Sequence, residues 1–509
     1  MRTVGGRTDR VVVVGAGLSG LSAALHLAGR GRTVTVLDRG EHPGGRVGRA
    51  DIAGYRLDTG PTVLTMPDII DDAFAAVGES LTDRLRLDPV HPAYRTSFAD
   101  GTALQVHTEP TAMFDEITRF AGPREADGYL RLRAWLTKLY RTEFEGFIAA
   151  NFDSPLSLLT PQLARLAALG AFRRWEPMVR RYLRDERLVR VFTFQALYAG
   201  VPPQGALALY AVIAYMDTIA GVYFPRGGMR ALPDAMAAAA SAAGVEFVYS
   251  ATVSELEFSG SRVTAVRTSS GERVSADAVV LTTELPDTYR LLRRAPRRPL
   301  RLRAAPSAVV AHVGCAEVGP GNEDVGHHNI VFGDAWAQTF RDIIDDGRVM
   351  GDPSLLVTRP TAGDASLAPA GRDLLYVLAP APNTRVGGLD WDASGPAYVE
   401  RILEVVRTRL PGAARDAEVL HVTTPADWAR QGMAAGTPFA LAHTFSQTGP
   451  FRPANTVRGV DNVVLAGSST VPGVGVPTTI LSGRLAADRV TGVPASEKAT
   501  DRSAGVVRR

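Results

Sequence analysis

The sequence predicts an α/β protein in which parallel strands alternate with helices. Residues 11–14 form an apolar run of the length of a buried strand, and a glycine-rich segment at 15–20 follows directly. A helix-patterned stretch comes next, and residues 33–37 form a second strand-like run. This order of strand, tight turn, helix and strand is a βαβ unit of the Rossmann-like type.

The glycine spacing at 15–20 is that of a dinucleotide-binding turn. Glycines at these places let the backbone and the start of the helix approach a pyrophosphate, and an acidic residue after the second strand accepts hydrogen bonds from a ribose. A glycine-rich loop without a ligand is the alternative interpretation. The residues predicted to bind here are Gly15, Ala16, Gly17, Gly20 and Asp38.

Two further segments favour FAD over a nicotinamide dinucleotide. Residues 44–46 place a second glycine pair and an arginine after the second strand, and residues 58–62 follow a short strand-like segment. Both are positioned to lie along a pyrophosphate and a flavin edge, although Arg46 alone is also compatible with a solvated surface arginine. The predicted contacts are Gly45, Arg46, Gly60, Pro61 and Thr62.

With these segments the chain resembles the amine-oxidase-like flavoproteins, and the resemblance extends to its far end. Residues 463–466 lead into the glycine-rich loop 467–477, and residues 481–487 have the pattern of a helix. A helix that begins behind such a loop aims its free amides at the flavin carbonyl edge. The resemblance implies cofactor contacts at Gly467, Gly475 and Val476, and an adenine contact at Val253.

Within that superfamily the sequence is more similar to the bacterial and fungal phytoene desaturases. The matching segments are residues 58–65, 194–200, 221–229, 326–330, 352–354 and 472–477. The resemblance implies an FAD-dependent oxidoreductase that acts on CH–CH bonds, and it favours stepwise oxidation of phytoene to lycopene. This chain has Thr478 and Thr479 where the family usually has Gly-Val.

Other functions on the same fold stay open at this point. One is oxidation of another carotenoid or polyene, as by a 3,4-desaturase or a diapophytoene desaturase, and another is oxidation of an amine. A prenyl-binding chaperone is disfavoured, because such escorts lack the flavin motifs that are intact here. The electron acceptor is expected to be oxygen or a quinone.

The single cysteine, Cys315, excludes an intramolecular disulfide and a cysteine metal cluster. It also lies far from the C-terminal flavin loop, so non-covalent FAD is expected. His327 and His328 are adjacent on an extended chain, where neighbouring side chains point in opposite directions, so we expect no metal site. Aromatic residues do not interleave the arginine-rich run at 293–303, which argues against nucleic-acid binding.

The net charge of +3 and the 45% hydrophobic content are ordinary for a globular protein. Residues 11–28 imitate a signal peptide, but the glycine spacing explains them better. The apolar stretch 205–224 is interrupted by Asp217, which favours a short helix at 206–218 over a membrane span. We expect a cytoplasmic protein, peripheral on the inner face of the cell membrane, with an amphipathic helix at 175–194 at the bilayer.

Asp217 is the candidate catalytic residue, because it is the one carboxylate in the apolar stretch. It would stabilise a cation or accept a proton while the flavin carries the oxidation. A carboxylate at a helix end that faces solvent is the alternative.

The predicted domains follow from this mapping. A discontinuous FAD-binding domain comprises residues 1–115, 225–290 and 455–496. A helical lobe that faces substrate and membrane spans 116–224, and a substrate domain spans 291–454. Residues 497–509 are expected to form a disordered tail.

Overall fold

The computed structural model describes residues 1–296, 298, 301–319 and 325–492. The predicted tail at 497–509 and part of the arginine-rich run at 293–303 lie outside these ranges. The described chain has the mixed α/β architecture that the sequence predicts.

A five-stranded parallel sheet forms the nucleotide-binding half. Its strands, in spatial order, are Glu246–Val248, Thr33–Leu37, Arg10–Val14, Ala278–Leu281 and Val463–Leu465. Val13 pairs with Val280, and the valine-rich runs are buried because helices and a small sheet cover the two faces. The small sheet is antiparallel and consists of Val253–Ser259, Arg262–Thr268 and Arg273–Ser275.

Three helices cover one face of this sheet. They are Leu18–Gly29, Ala231–Ala242 and Val476–Thr491. The first and last pack so closely that a Cβ on Gly483 would lie 2.3 Å from the Ser19 carbonyl oxygen. The two ends of the chain therefore meet beside the first strand.

A seven-stranded mixed sheet forms the second half. Its spatial order is Glu418–Thr423, Ser307–Ala316, Arg372–Ala381, Leu355–Thr358, His328–Val331, Tyr94–Ser97 and Ala103–Val106. The last two strands differ from the sequence-based division, which assigns residues up to 115 to the nucleotide half. They lie here because Tyr94–Ser97 pairs in parallel with His328–Val331, a contact between distant segments.

Two small sheets connect the halves. One pairs Arg49–Ile52 with Tyr55–Asp58, and the other joins Leu64–Thr65, Val222–Pro225 and Leu87–Pro89. The other α-helices that the structure describes outside the helical lobe are Pro67–Ala75, Leu81–Arg84, Leu285–Leu291, Trp336–Arg341, Trp391–Arg409 and Pro425–Arg430.

A lobe of helices packs beside the two sheets. Its α-helices are Pro110–Ala121, Pro123–Glu143, Pro161–Ala168, Trp175–Val179, Glu186–Val191 and Val212–Tyr215. π-Helical turns follow two of them, at Phe144–Ile148 and Met216–Ala220. The helix expected at 206–218 is thus a 3₁₀ turn at Ala208–Ala211, one α-turn and a π-turn.

The amphipathic helix expected at 175–194 is not present as one element. The chain forms two short helices there, and the apolar side chains Trp175, Val179 and Leu183 are fully buried inside the protein. The pattern identified an apolar face correctly, but protein covers that face. No helix in the described ranges has the length and apolarity needed to cross a membrane.

Candidate active site

A cavity of about 1090 Å³ lies between the parallel sheet, the loop before the last helix and the helical lobe. We call its glycine-rich part, at residues 14–19 and 37–47, the nucleotide end. We call the part beside the lobe the substrate end. Its walls include Glu143, Phe147, Tyr198, Tyr210, Asp217 and His443.

Most of the predicted site residues lie in this one wall. They are Gly15, Gly17, Asp38, Gly45, Arg46, Gly60, Pro61, Thr62, Asp217, Val253, Gly467, Gly475 and Val476. Ala16 and Gly20 do not line the cavity. A Cβ on Gly20 would lie 1.9 Å from the Gly15 carbonyl oxygen, so this glycine serves the approach of helix to strand.

The two glycine segments form the floor of the nucleotide end. The Gly44 amide donates to the Ala16 carbonyl over 2.8 Å, and a Cβ on Gly45 would lie 3.1 Å from the Gly17 Cα. Gly15 and Gly45 have φ values of +107° and +57°, in the region that favours glycine. The backbone is therefore open to a ligand along this floor.

Asp38 lies at the carboxyl end of the second strand and faces the cavity. Its carboxylate accepts from the Ala16 amide at 2.6 Å and from the Gly40 amide at 2.7 Å. These amides fix the carboxylate, and each oxygen keeps a lone pair for a ribose hydroxyl.

Asp58 joins two of the segments that carry the family resemblance. Its carboxylate accepts from the backbone amides of Met229 at 2.9 Å and Arg230 at 3.3 Å. Burial raises the pKa of Asp58 to about 6, although these amides oppose the shift. A Cβ on Gly228 would lie 3.0 Å from both carboxylate oxygens, which explains the glycine.

Arg46 connects the second glycine pair to the loop 467–477. Its guanidinium forms an ion pair with Glu284 and donates to the Ser468 hydroxyl. All three residues lie in the cavity wall. Arg46 therefore contacts the cavity rather than lying on the outer surface.

The loop 467–477 brings a second helix start to the same cavity. Gly467 and Gly475 have φ values of +117° and +126°, and the helix Val476–Thr491 begins without a side-chain cap. The Thr478 hydroxyl donates to the Val474 carbonyl over 2.8 Å, so this departure from the family pattern stabilises the loop.

Arg452 holds this loop in place, and sequence reasoning missed it. Its fully buried guanidinium donates to the carbonyl oxygens of Ser468 and Thr470, both over 2.7 Å, and of Gln447 and Leu441 at longer range. Burial lowers the pKa of Arg452 to about 10, so it stays charged at neutral pH. The segment 451–453, Phe-Arg-Pro, contains no signal that would reveal this role.

The residues present fit FAD. The helices that begin after Gly17 and Gly475 both lack a side-chain cap, so their first amides are free for ligand oxygens. One helix start adjoins Asp38, which suits a pyrophosphate and a ribose, and the other suits the carbonyl edge of a flavin.

Asp217 is buried at the substrate end, within the π-turn Met216–Ala220. It is 3% exposed, which rules out the solvent-facing alternative. Burial raises its pKa to about 7, while the Tyr94 hydroxyl and the Gln195 side chain lower it. Tyr198 lies in the same buried cluster and lines the cavity. Sequence reasoning missed these three partners.

Tyr210 and His443 add polar groups to the substrate end. The centroids of their rings are 5.0 Å apart, and the Tyr210 hydroxyl oxygen is 2.5 Å from the Thr448 hydroxyl oxygen. Burial and the nearby Arg452 hold the pKa of His443 well below its usual range, so its ring is neutral. A Cβ on Gly473 would lie 2.3 Å from its Nε2 atom, which places the ring directly against the loop 467–477.

The expectation that His327 and His328 point apart is wrong. Their ring centroids are 4.5 Å apart, because the strand begins only at His328. The His328 Nε2 atom lies 3.0 Å from the Thr62 carbonyl oxygen, and the His327 ring packs on Phe224. In the part of the chain that the structure describes, no group of metal-ligating side chains surrounds this pair.

Comparison with known proteins decides the family. Residues 18–491 match the family described as flavin containing amine oxidoreductase. A phytoene dehydrogenase of Streptomyces griseus is 59% identical over 495 residues, which are 97% of each chain. The chain belongs to the phytoene desaturases of this flavoprotein family. It is therefore an FAD-dependent oxidoreductase that acts on CH–CH bonds.

Other members of the family differ in product. A zeta-carotene-forming phytoene desaturase of Myxococcus xanthus is 37% identical and covers 94% of this chain and 93% of its own. A lycopene-forming phytoene desaturase of Pantoea ananas is 32% identical, over 93% of this chain and 97% of its own. The expected carotenoid desaturation with a hydrophobic polyene substrate is confirmed at this level.

The fold is confirmed by a solved structure. An oxidoreductase from Methanosarcina mazei superimposes with a TM-score of 0.62 over 93% of this chain and 99% of its own, at 17% identity. This likeness supports the α/β fold alone.

Proposed function

We propose that this protein oxidises phytoene stepwise to lycopene with non-covalently bound FAD. The observation that carries the proposal is the 59% identity to a phytoene dehydrogenase over almost the whole chain, together with a cavity that joins a dinucleotide site to an apolar end. Cys315 is buried in the strand Ser307–Ala316, away from the cavity wall, which supports a flavin without a cysteinyl bond.

Bound FAD supplies the oxidation by accepting a hydride from an allylic carbon. The chain's own residues hold the polyene and manage the proton. Phe147, Ile213 and Met216 give the substrate end an apolar wall that excludes water. Asp217 accepts the proton from the neighbouring carbon, since a carboxyl with a pKa near 7 is poised to gain and lose one.

The test is the pigment content of cells that accumulate phytoene and express this chain. Lycopene in the extract is the expected result. Zeta-carotene in the extract would mean fewer desaturation steps than proposed, as for the zeta-carotene-forming relative. Unchanged phytoene would remove phytoene as substrate and favour another polyene.

The protein is further proposed to bind the inner face of the cell membrane peripherally. An apolar rim, formed by the exposed side chains of Leu156, Leu159, Phe445 and Phe451, supports this. Leu156 and Leu159 are 73% and 78% exposed, and Gly449, between the two phenylalanines, lines the cavity. Such a rim beside the substrate end suits uptake of a substrate dissolved in lipid.

A basic groove of about 920 Å³ lies in the same helical lobe as Leu156 and Leu159. Arg133, Lys138, Arg141 and Arg165 line it, which suits anionic headgroups. Sedimentation with anionic vesicles tests the association, and a Leu156→Ser, Leu159→Ser double variant should remain in the supernatant. Equal sedimentation of the two proteins would contradict this surface. The electron acceptor is proposed to be oxygen or a quinone.

A further inference from the structure

Glu143 is a buried carboxyl in the wall of the substrate end that the proposed oxidation does not use. It is 1% exposed, and its Oε2 atom has no hydrogen-bond partner among the described residues. Burial raises the pKa of Glu143 well above its usual range. The side chain is therefore a neutral acid with an O–H to donate.

The local backbone shows that this placement belongs to the site. Glu143 ends the helix Pro123–Glu143 directly before a π-turn, and Asp217 lies within the other π-turn of the lobe. π-Turns inside helices occur frequently at functional sites. The Tyr140 and Tyr215 rings stack at 4.3 Å, so the two helices pack together and bring both carboxyls to one cavity.

Among the residues that the structure describes, no protein group forms a hydrogen bond with the Glu143 Oε2 atom. Tyr210 is close enough for its pKa to respond to the carboxyl, but its hydroxyl is engaged with Thr448 at 2.5 Å. A buried polar group without a partner reduces stability, and a pure hydrocarbon offers it neither donor nor acceptor. An oxygen atom on a ligand in the cavity would supply the partner that a hydrocarbon cannot.

We propose that Glu143 donates a hydrogen bond to an oxygen atom carried by an isoprenoid ligand in the substrate end. Two sources have this chemistry, namely the carbonyl of a quinone with an isoprenoid tail and the hydroxyl of a hydroxylated polyene. Both are long apolar molecules that fit the same wall as a polyene substrate. The inference rests on the proposed function, because it deepens which ligands the same cavity accepts.

The test measures dissociation constants for holoenzyme in detergent with three probes. They are a decyl-substituted benzoquinone, a hydroxylated acyclic carotene and phytoene. In Glu143→Leu, the constant for one oxygen-bearing probe should rise about tenfold, because one hydrogen bond to a buried acid is lost. Glu143→Gln keeps a donor and should stay within about threefold of the original. Phytoene affinity should not fall in either variant.

The probe that loses affinity identifies the source of the oxygen. Unchanged binding of both oxygen-bearing probes to folded Glu143→Leu would overturn the proposal. Glu125→Gln is the matched control, since Glu125 is buried on the same helix but accepts from the Arg184 amide outside the cavity. The proposed function is tested separately by mixing the wild-type holoenzyme anaerobically with detergent that contains phytoene or lacks it. Bleaching of the flavin absorbance with phytoene alone supports the proposed function.

Discussion

The two ends of the cavity are built in opposite ways. At the nucleotide end, backbone amides face the cavity together with two side chains, Asp38 and Arg46, and amides hold the Asp38 carboxylate in place. At the substrate end they are side chains, and these include buried polar atoms of Glu143, Tyr198 and Asp217. The difference suits the two roles proposed for these ends, namely holding a cofactor with main-chain groups and handling substrate with side chains.

The largest effect is expected from a substitution at the nucleotide end. Gly20→Ala should abolish FAD binding and reduce the free energy of unfolding by about 3 kcal/mol, because its Cβ meets the Gly15 carbonyl oxygen at 1.9 Å. Gly17→Ala is the matched variant, since only the Gly45 Cα lies near its Cβ, at 3.9 Å. It should fold normally and still lose FAD.

Thermal unfolding and the ratio of flavin to protein absorbance measure both variants. Full FAD content in Gly20→Ala, with an unchanged melting temperature, would contradict the account of the nucleotide end as a backbone-built site.

At the substrate end, Asp217→Asn should fold and bind FAD but slow flavin bleaching by phytoene about 100-fold, because proton transfer is lost. The wild-type rate should rise as the pH increases through about 7, since only the ionised carboxylate can accept a proton in the proposed role. The variant should lack this rise. Stopped-flow absorbance across pH measures it, and full turnover in Asp217→Asn would remove Asp217 from the mechanism.

Arg452 tests the boundary between the two ends. Arg452→Lys should raise the dissociation constant of FAD about tenfold, because an ammonium cannot reach the carbonyls that the guanidinium joins. Arg119, exposed and paired with Glu116, offers the control Arg119→Lys. Equilibrium dialysis of FAD measures both dissociation constants. Equal FAD affinity in the two variants would show that the loop 467–477 keeps its conformation without the Arg452 guanidinium.

The smallest effect sharpens the substrate end. Tyr94→Phe removes a hydroxyl that lowers the pKa of Asp217, so the rise in rate should move to higher pH by under about one unit. Tyr129→Phe is the control, because the Tyr129 hydroxyl accepts from Arg133 instead. A pH–rate profile that stays in place for Tyr94→Phe would exclude Tyr94 as a positioning residue for Asp217.

Sequence reasoning reached the nucleotide end because its signals are local. The strand, the glycines and Asp38 all lie within one βαβ unit, where spacing alone relates them. It also named Asp217 as a candidate, because this carboxylate interrupts an apolar stretch. It missed Glu143, since a glutamate at the end of a polar-faced helix has no pattern that separates it from a surface residue.

The error at 175–194 has a related cause. Hydrophobic periodicity shows which face of a segment is apolar, but not whether lipid or protein covers it. Here protein covers it, whereas apolar side chains such as Leu159 and Phe445 are exposed in short turns. Short turns carry no periodicity, so sequence patterns do not reveal such a surface.

The sequence by itself determined the α/β fold, the dinucleotide cofactor and the family, because these depend on short segments whose residues act through their own backbone. The tertiary structure decided which distant groups meet at the substrate end. Tyr210 and Thr448, whose hydroxyls form a hydrogen bond, are 238 residues apart in the chain. Arg452 donates to the carbonyl oxygens of Ser468 and Thr470, which lie 16 and 18 residues further on. Such contacts arise only when the helical lobe and both sheets pack around one cavity, because burial and hydrogen bonding there are properties of the assembled fold.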